Sequence, residues 1–212
     1  MRRLFIFGFV AGLALVLAGA YYFPWVQHER LAAQTSVVAN GGRAETFMVR
    51  LPADRIASVG DAATGLISAG GDLPAELSEQ PVALEHFKVR AADGNVIGVA
   101  TRHWTLTEAG PSIAWALIIP GRGAVMMAAP GEPWELMETS LGGRGYVAGE
   151  PWSGTLDLAA VADPAATRTV ATSEEFSGLQ FTFTETWAVR GVNEAGQIRG
   201  TIVLDTVGRR GS

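Results

Sequence analysis

The sequence predicts a mainly β domain of about eight antiparallel strands, folded as a barrel or a two-sheet sandwich with one or two short helices and preceded by one transmembrane helix. Two observations carry this prediction. From residue 82 onward, apolar residues recur at every second position between turn signals, which is the pattern of strands with one buried face. At the N-terminus, residues 4–26 contain no charge and are numerous enough to span a bilayer.

The uncharged N-terminal run has two interpretations. It counts 23 residues and follows Arg2 and Arg3, and positive charge precedes both export signals and membrane helices that leave their N-terminus in the cytoplasm. Residues 18–20, Ala-Gly-Ala, have the small-x-small form of a signal-peptidase site. The length of the run and the aromatic residues within positions 21–25 favour an uncleaved anchor. Either interpretation sends the rest of the chain across the membrane.

Three parts are predicted: a membrane anchor over residues 1–30, a polar linker over 31–44 and a β-rich periplasmic domain over 45–212. All 21 acidic residues and 14 of the 16 basic ones follow the anchor's apolar run, for a net charge of −7, which argues against a nucleic-acid partner. Cysteine is absent, so the exported domain has neither disulfides nor a lipidated cysteine. Fifteen arginines against one lysine are typical of a GC-rich bacterium. The expected location is the bacterial inner membrane, crossed once by residues 4–26, with the C-terminal domain in the periplasm.

Turn signals between alternating segments predict three hairpins. Their strands and turns are 84–92 with 96–106 about Asp93-Gly94-Asn95, 113–119 with 124–129 about residues 120–123, and 181–191 with 197–207 about residues 193–196. This up-and-down order is similar to that of lipocalin-like barrels. The Gly-x-Trp typical of lipocalins near the first strand is absent, so the resemblance concerns architecture alone.

Two further strands and two helices complete the predicted domain. Apolar residues recur at helical spacing after Pro52, which predicts a helix over about 53–68. A short helix is predicted to begin at Pro133 and to end near Gly142. The remaining strands are predicted over 46–51 and 155–161.

The sequence contains no nucleophile elbow, zinc-protease helix, phosphate-binding loop or dinucleotide-binding glycine pattern, so no catalytic residue and no cofactor are predicted. His86 and His103 fall on adjacent predicted strands and share one face with Lys88 and Arg90. We predict no metal site there, because a site needs a third ligand and the neighbouring cations repel a divalent ion.

Three charged residues alternate in step with large apolar neighbours: Glu85, Arg102 and Glu185. A two-residue turn at Asp93-Gly94 places Glu85 opposite Arg102. Buried charge is unfavourable unless it is paired, so this pattern predicts a structural salt bridge, charges at the rim of the inner face, or the polar centre of a ligand cavity. The structural interpretation is favoured because unpaired buried charge is rare. The residues of the ligand-binding hypothesis are Glu85, Arg102, Glu185, Trp104 and Trp187.

Two functions follow from these patterns. The first is a non-catalytic, membrane-anchored periplasmic domain that contributes protein contacts to an envelope complex. The predicted anchor, the missing motifs and the segment 113–119, which is apolar on both faces, support it. The alternative is a barrel that binds a hydrophobic small molecule or a lipid, with the three charges in its mouth. A filled interior favours the first function, and an open cavity favours the second.

Overall fold

The computed structural model describes residues 35–38, 42–59, 81–107, 110–131 and 133–211. Within these ranges there are eleven strands, one α-helix (α1, Pro133–Gly142) and two 3-10 turns, Pro164–Ala166 and Glu174–Phe176. The strands are β1 (Ser36–Val38), β2 (Gly42–Leu51), β3 (Arg55–Val59), β4 (Pro81–Ala91), β5 (Val96–Thr107), β6 (Gly110–Ile119), β7 (Gly123–Pro130), β8 (Trp152–Val161), β9 (Arg168–Thr172), β10 (Leu179–Val192) and β11 (Ile198–Arg210).

All of these strands belong to one antiparallel sheet, which curls into a half-barrel. Its order is β8-β10-β11-β2-β4-β5-β6-β7-β9, with β1 beside β2 and β3 beside β4. The prediction of a mainly β, antiparallel domain is confirmed, but the strands form one curled sheet rather than two packed sheets. The strands absent from the prediction are β1, β3 and β9.

The predicted membrane span, residues 4–26, lies outside the described residues. Among those that the structure does describe, no helix is both long enough and apolar enough to cross a bilayer. Part of the predicted linker is described, and two stretches of it form a short antiparallel pair. Residues 36–38 form β1 against residues 42–44 at the start of β2.

The three predicted hairpins are present as β4–β5, β6–β7 and β10–β11. In the first, Glu85 lies opposite Arg102 as predicted, although the turn differs from the predicted two-residue form. The Ala91 N–H donates to the carbonyl of Asn95, so the turn holds three residues, and Gly94 adopts a φ of 87°. A bulge on β5 near Ile97 compensates for the extra turn residue and restores the register.

The predicted helix over 53–68 is wrong over residues 55–59, which form β3 and pair with β4. The buried Asp54 carboxylate accepts hydrogen bonds from the Arg50 N–H and from the Arg90 guanidinium, while its own carbonyl accepts from the Lys88 N–H. These bonds turn the chain onto β4, and tertiary pairing outweighs the helical spacing. Burial raises the pKa of Asp54, but hydrogen bonds and charge from Arg90 and Arg50 outweigh it and lower the pKa overall. Residues 60–68 lie outside the described residues.

The core lies on the inner face of the curled sheet. Along β6 the buried side chains alternate with outward-facing ones, as a strand with one buried face requires. Its buried members are Ile113, Trp115, Leu117 and Ile119. On the outer face Ile118 is 52% exposed, so the second apolar face of the segment 113–119 is open to solvent there. Helix α1 buries Met137 and Leu141 in the same core.

We expect Gly200→Ala to destabilise the sheet by about 1–3 kcal/mol, because the added methyl group meets backbone that has no room to move. A Cβ at Gly200 on β11 would lie 2.3 Å from the carbonyl oxygen of Ala188 on β10. Gly142→Ala is the matched control, since nothing lies within 4 Å of its Cβ position. Urea unfolding measures both variants. Equal midpoints for the two would contradict the close approach of β10 and β11.

Candidate functional site

The structure brings Glu85, Arg102 and Glu185 together on the inner face of the sheet. They come from β4, β5 and β10, and all three are buried, Arg102 and Glu185 completely. The Arg102 guanidinium donates from Nη2 to Glu185 Oε1 at 2.6 Å and from Nη1 to Glu85 Oε2 at 3.3 Å. The predicted cross-strand pair of Glu85 and Arg102 is therefore present, and Glu185 is the closer partner of the arginine.

Glu185 receives two further hydrogen bonds from indoles. Trp187, two residues along β10 on the same face, donates from Nε1 to Oε1 at 2.6 Å. Trp115 on β6 donates from Nε1 to Oε2, also at 2.6 Å. Hydrogen bonds to a charged acceptor are about twice as strong as neutral ones. The buried carboxylate thus replaces its lost hydration with three donors.

Three indoles surround the Arg102 guanidinium and form an indole cage of Trp104, Trp115 and Trp187. The guanidinium carbon lies 4.3 Å from the Trp104 ring centroid, 4.7 Å from that of Trp187 and 5.6 Å from that of Trp115. These distances are within the range of cation–π attraction, which strengthens where water is excluded. The Arg102 Nε is buried and has no hydrogen-bond partner among the described residues. The cage therefore adds to the two carboxylate contacts in compensating the buried charge.

Two members of this site were absent from the predicted set. Arg55 on β3 donates from Nη2 to Glu85 Oε1 at 2.8 Å and is 18% exposed. It was missed because its segment was predicted as helix. Trp115 was also absent from the predicted set, although it lies directly opposite Arg102 in the β5–β6 register. The first two predicted hairpins pair with each other through β5 and β6, and this pairing is what brings Trp115 to the site.

The four charged residues Arg55, Glu85, Arg102 and Glu185, here called the polar centre, balance one another. Each carboxylate oxygen accepts at least one hydrogen bond from within the polar centre or the indole cage. A ligand that used these carboxylates would have to displace an arginine or an indole. Within the described part of the chain, no three histidine, aspartate, glutamate or cysteine side chains are placed to hold a metal ion.

A second buried ionic cluster, the Arg122 clamp, consists of Arg122, Glu45, Glu175 and Arg43. Arg122 lies in the β6–β7 turn and donates from Nη1 and Nη2 to both carboxylate oxygens of Glu45, at 2.6 and 2.7 Å. Its Nε reaches Glu175 at 3.3 Å, and Arg43 donates to Glu175 at 2.7 Å. Hydrogen bonding to Glu45 raises the pKa of Arg122 despite its burial. The clamp joins β2, the β6–β7 turn and the segment after β9.

The two histidines share one face of the β4–β5 hairpin, as their register predicted. His86 Nδ1 and Thr101 Oγ1 are 2.9 Å apart across the β4–β5 ladder. His103 is buried, and this burial, with a smaller contribution from the charge of His86, lowers the pKa of its imidazole. Lys88, on the same face, is exposed. His103 is therefore held in a setting that favours its neutral form.

Comparison of the chain with models of known protein families gives no match, and comparison with curated proteins gives none. Function is therefore inferred from the geometry of these clusters and from the distribution of exposed side chains.

We expect Arg102→Gln and Glu185→Gln each to cost about 3–5 kcal/mol, because each leaves a buried charge without its partner. The double variant should cost less than the sum of the two, with a coupling of up to about 3 kcal/mol. Chemical denaturation followed by tryptophan fluorescence measures the cycle. Asp157→Asn is the control: it breaks the exposed Arg190–Asp157 pair and should cost under about 1 kcal/mol. Small, additive effects at Arg102 and Glu185 would place both residues in solvent.

His103 makes the folding stability depend on pH. Its folded pKa is depressed below the ordinary 6.5, so the unfolded chain takes up the proton more readily. The contribution is fully present above pH 6.5 and is lost as the pH falls from there toward the folded pKa. Stability should fall by up to about 1.4 kcal/mol per pH unit in that window. Denaturation between pH 7.5 and 5 should show a shallower loss for His103→Gln than for the parent, and identical profiles would contradict the assignment.

Proposed function

We propose that this protein is a non-catalytic, membrane-anchored β domain of the bacterial periplasm that contributes a protein-binding surface to an envelope complex. The observation that carries the proposal is a contrast between the two faces of the sheet. The inner carboxylates of Glu85 and Glu185 accept hydrogen bonds from arginines and indoles, whereas the outer face of β5 and β6 presents aliphatic side chains to solvent. Such a surface suits a protein partner better than a small molecule.

The inner face supports this choice over the alternative of a barrel that binds a hydrophobic molecule or lipid. A ligand cavity needs a few polar groups that are free to orient the ligand. Here the carboxylate oxygens of Glu85 and Glu185 are occupied, and the Arg102 guanidinium is enclosed by the indole cage. The candidate ligand residues are thus engaged with one another, which supports the protein-binding role over the ligand-binding one.

The outer face supplies the proposed contact surface. Val99 on β5 and Ile118 on β6 are directly opposite each other and are 43% and 52% exposed. Val96, near the start of β5, is also exposed, and we call these three residues the outer apolar row. Lys88 lies beside Val99 in the β4–β5 ladder and is exposed. An apolar centre with a charged rim is the composition of protein interfaces.

The membrane anchor is the second part of the proposal, and it rests on the sequence. Its apolar run is longer than a cleavable signal needs, and aromatic residues follow at its exit. Intact mass spectrometry of the membrane-extracted protein should give a chain that keeps residues 4–26. A mature chain that begins at Tyr21 would contradict the anchor and indicate a secreted domain.

The partner surface is tested by cross-linking in intact membranes and purification of the full chain. A partner captured by the parent should be lost with Ile118→Arg, because the substitution places a charge at the centre of the outer apolar row. Val147→Arg is the matched control, since Val147 is 55% exposed and lies in the loop after α1. It should retain the partner.

Two results would contradict the proposal. One is equal capture by the parent and Ile118→Arg. The other is a lipid or hydrophobic molecule that co-purifies in stoichiometric amount with the parent and is lost on substitution of the polar centre, because that outcome favours the ligand-binding barrel.

A further inference from the structure

The strands around the outer apolar row contain almost no acid. Strands β4, β5, β6, β7 and β9 hold a single carboxylate, that of Glu85, and it is buried in the polar centre. Strands β6 and β7 hold no charged residue of either sign. The chain after residue 26 carries 21 acidic residues and 14 basic ones, so this part of the sheet differs in charge from the rest of the domain.

Two cations lie on the outer face together with the outer apolar row. Residues that are directly opposite in neighbouring strands project to the same face, so the ladders define lines of outward-facing side chains. The first line runs from β4 to β7: Lys88, Val99, Ile118 and Ala124. The second line lies four residues along each of these ladders and runs from β5 to β9: His103, Ala114, Ala128 and Arg168.

The region between the two lines is uncharged. Thr101, Ala116 and Met126 are its members on β5, β6 and β7, and they are half-buried. Lys88 and Arg168 therefore lie at opposite corners of a region three strands wide. Strands are about 4.8 Å apart, which places the two cations on the order of 20 Å from each other. One small anion cannot contact both, whereas a protein surface can.

Both cations are available to a partner. The side chains of Lys88 and Arg168 are exposed, and no carboxylate among the described residues forms an ion pair with either of them. Arg90, the neighbouring cation on β4, is different because it is bonded to the buried carboxylate of Asp54. The charge of Lys88 and Arg168 is thus not neutralised within the described part of the chain.

We propose that the partner of the outer apolar row is a different protein whose contact surface has an apolar centre, opposite Ile118, and carboxylates on either side of it, opposite Lys88 and Arg168. This inference rests on the proposed function and adds the chemistry of the partner. Its basis is charge complementarity, since an apolar face flanked only by cations selects a partner flanked by anions.

A second copy of the chain fits this face poorly. A symmetric dimer places the same surface on both sides of its interface. The strands of this face offer no exposed carboxylate, so Lys88 and Arg168 would find no opposite charge on the other copy. An anionic bilayer is disfavoured by the excess of acidic residues in the domain.

Lys88 permits a direct test, because it is the only lysine of the chain. A carbodiimide applied to intact membranes activates a carboxylate. The Lys88 amine then attacks the activated acyl carbon, the urea leaves, and an amide joins the two groups without a spacer. Mass spectrometry of the purified full chain should find Lys88 joined to an aspartate or glutamate of another protein. Lys88→Arg keeps the charge but removes the amine, so this product should be absent. An unmodified Lys88, or one joined to a second copy, would overturn the proposal.

Charge reversal tests whether the sign of the flanking charges matters. Capture of the cross-linked partner from intact membranes at low salt should fall at least about tenfold with Lys88→Glu and with Arg168→Glu, because carboxylates would then face carboxylates. Lys88→Arg should stay within about twofold of the parent. Added salt should weaken capture by the parent, since it screens exposed charges. Arg209→Glu, which reverses an exposed cation at the end of β11, is the control and should capture as the parent does.

The inference and the proposed function fail in different ways. If Ile118→Arg abolishes capture while Lys88→Glu and Arg168→Glu leave it unchanged, the outer apolar row binds a partner but that partner is not acidic, and the inference is wrong. If Ile118→Arg also leaves capture unchanged, the proposed function fails and the inference fails with it.

Discussion

The fold depends on how a β sheet accommodates full charges on its inner face. The Arg102–Glu185 pair has no exposure to solvent, and an ion pair in such a place is stable only if further groups replace the lost water. Here two indole N–H groups bond the carboxylate, and three indole rings surround the guanidinium. Because those indoles come from β5, β6 and β10, the pair fixes how distant parts of the curled sheet face each other.

The chain has no cysteine, so ionic contacts and packing, rather than disulfides, connect segments that are distant in sequence. Arg102 and Glu185 are 83 positions apart, Arg122 and Glu45 are 77 apart, and Arg90 and Asp54 are 36 apart. Each contact requires oppositely charged groups at hydrogen-bond distance, whereas apolar packing tolerates many different neighbours. The expected consequence is specificity of register: the contacts select one arrangement of strands that have similar alternating patterns.

Local chemistry explains which elements were predictable. The β4–β5, β6–β7 and β10–β11 hairpins follow from turn residues and alternation, and the same parity predicted the inner placement of Glu85, Arg102 and Glu185. Strand β3 was not predictable in this way, because the Asp54 bonds that direct it involve Arg90, 36 positions away. Because Arg55 lies on β3, the prediction also missed its place in the polar centre. Strand β9 has no alternating burial and so leaves no pattern in the sequence.

The buried charged groups, which are hydrogen-bonded within the molecule, and the exposed apolar side chains should have different roles. The polar centre has its carboxylates occupied and its charges balanced, so its substitution should change stability before it changes recognition. The outer apolar row has the opposite property, because Val99 and Ile118 are exposed in the described structure and gain contacts only when a partner covers them. A substitution such as Ile118→Arg should therefore alter binding while leaving the unfolding midpoint nearly unchanged, whereas Glu185→Gln should do the reverse. This reciprocal behaviour distinguishes a protein-binding surface from a ligand cavity, in which the same buried residues would control both properties.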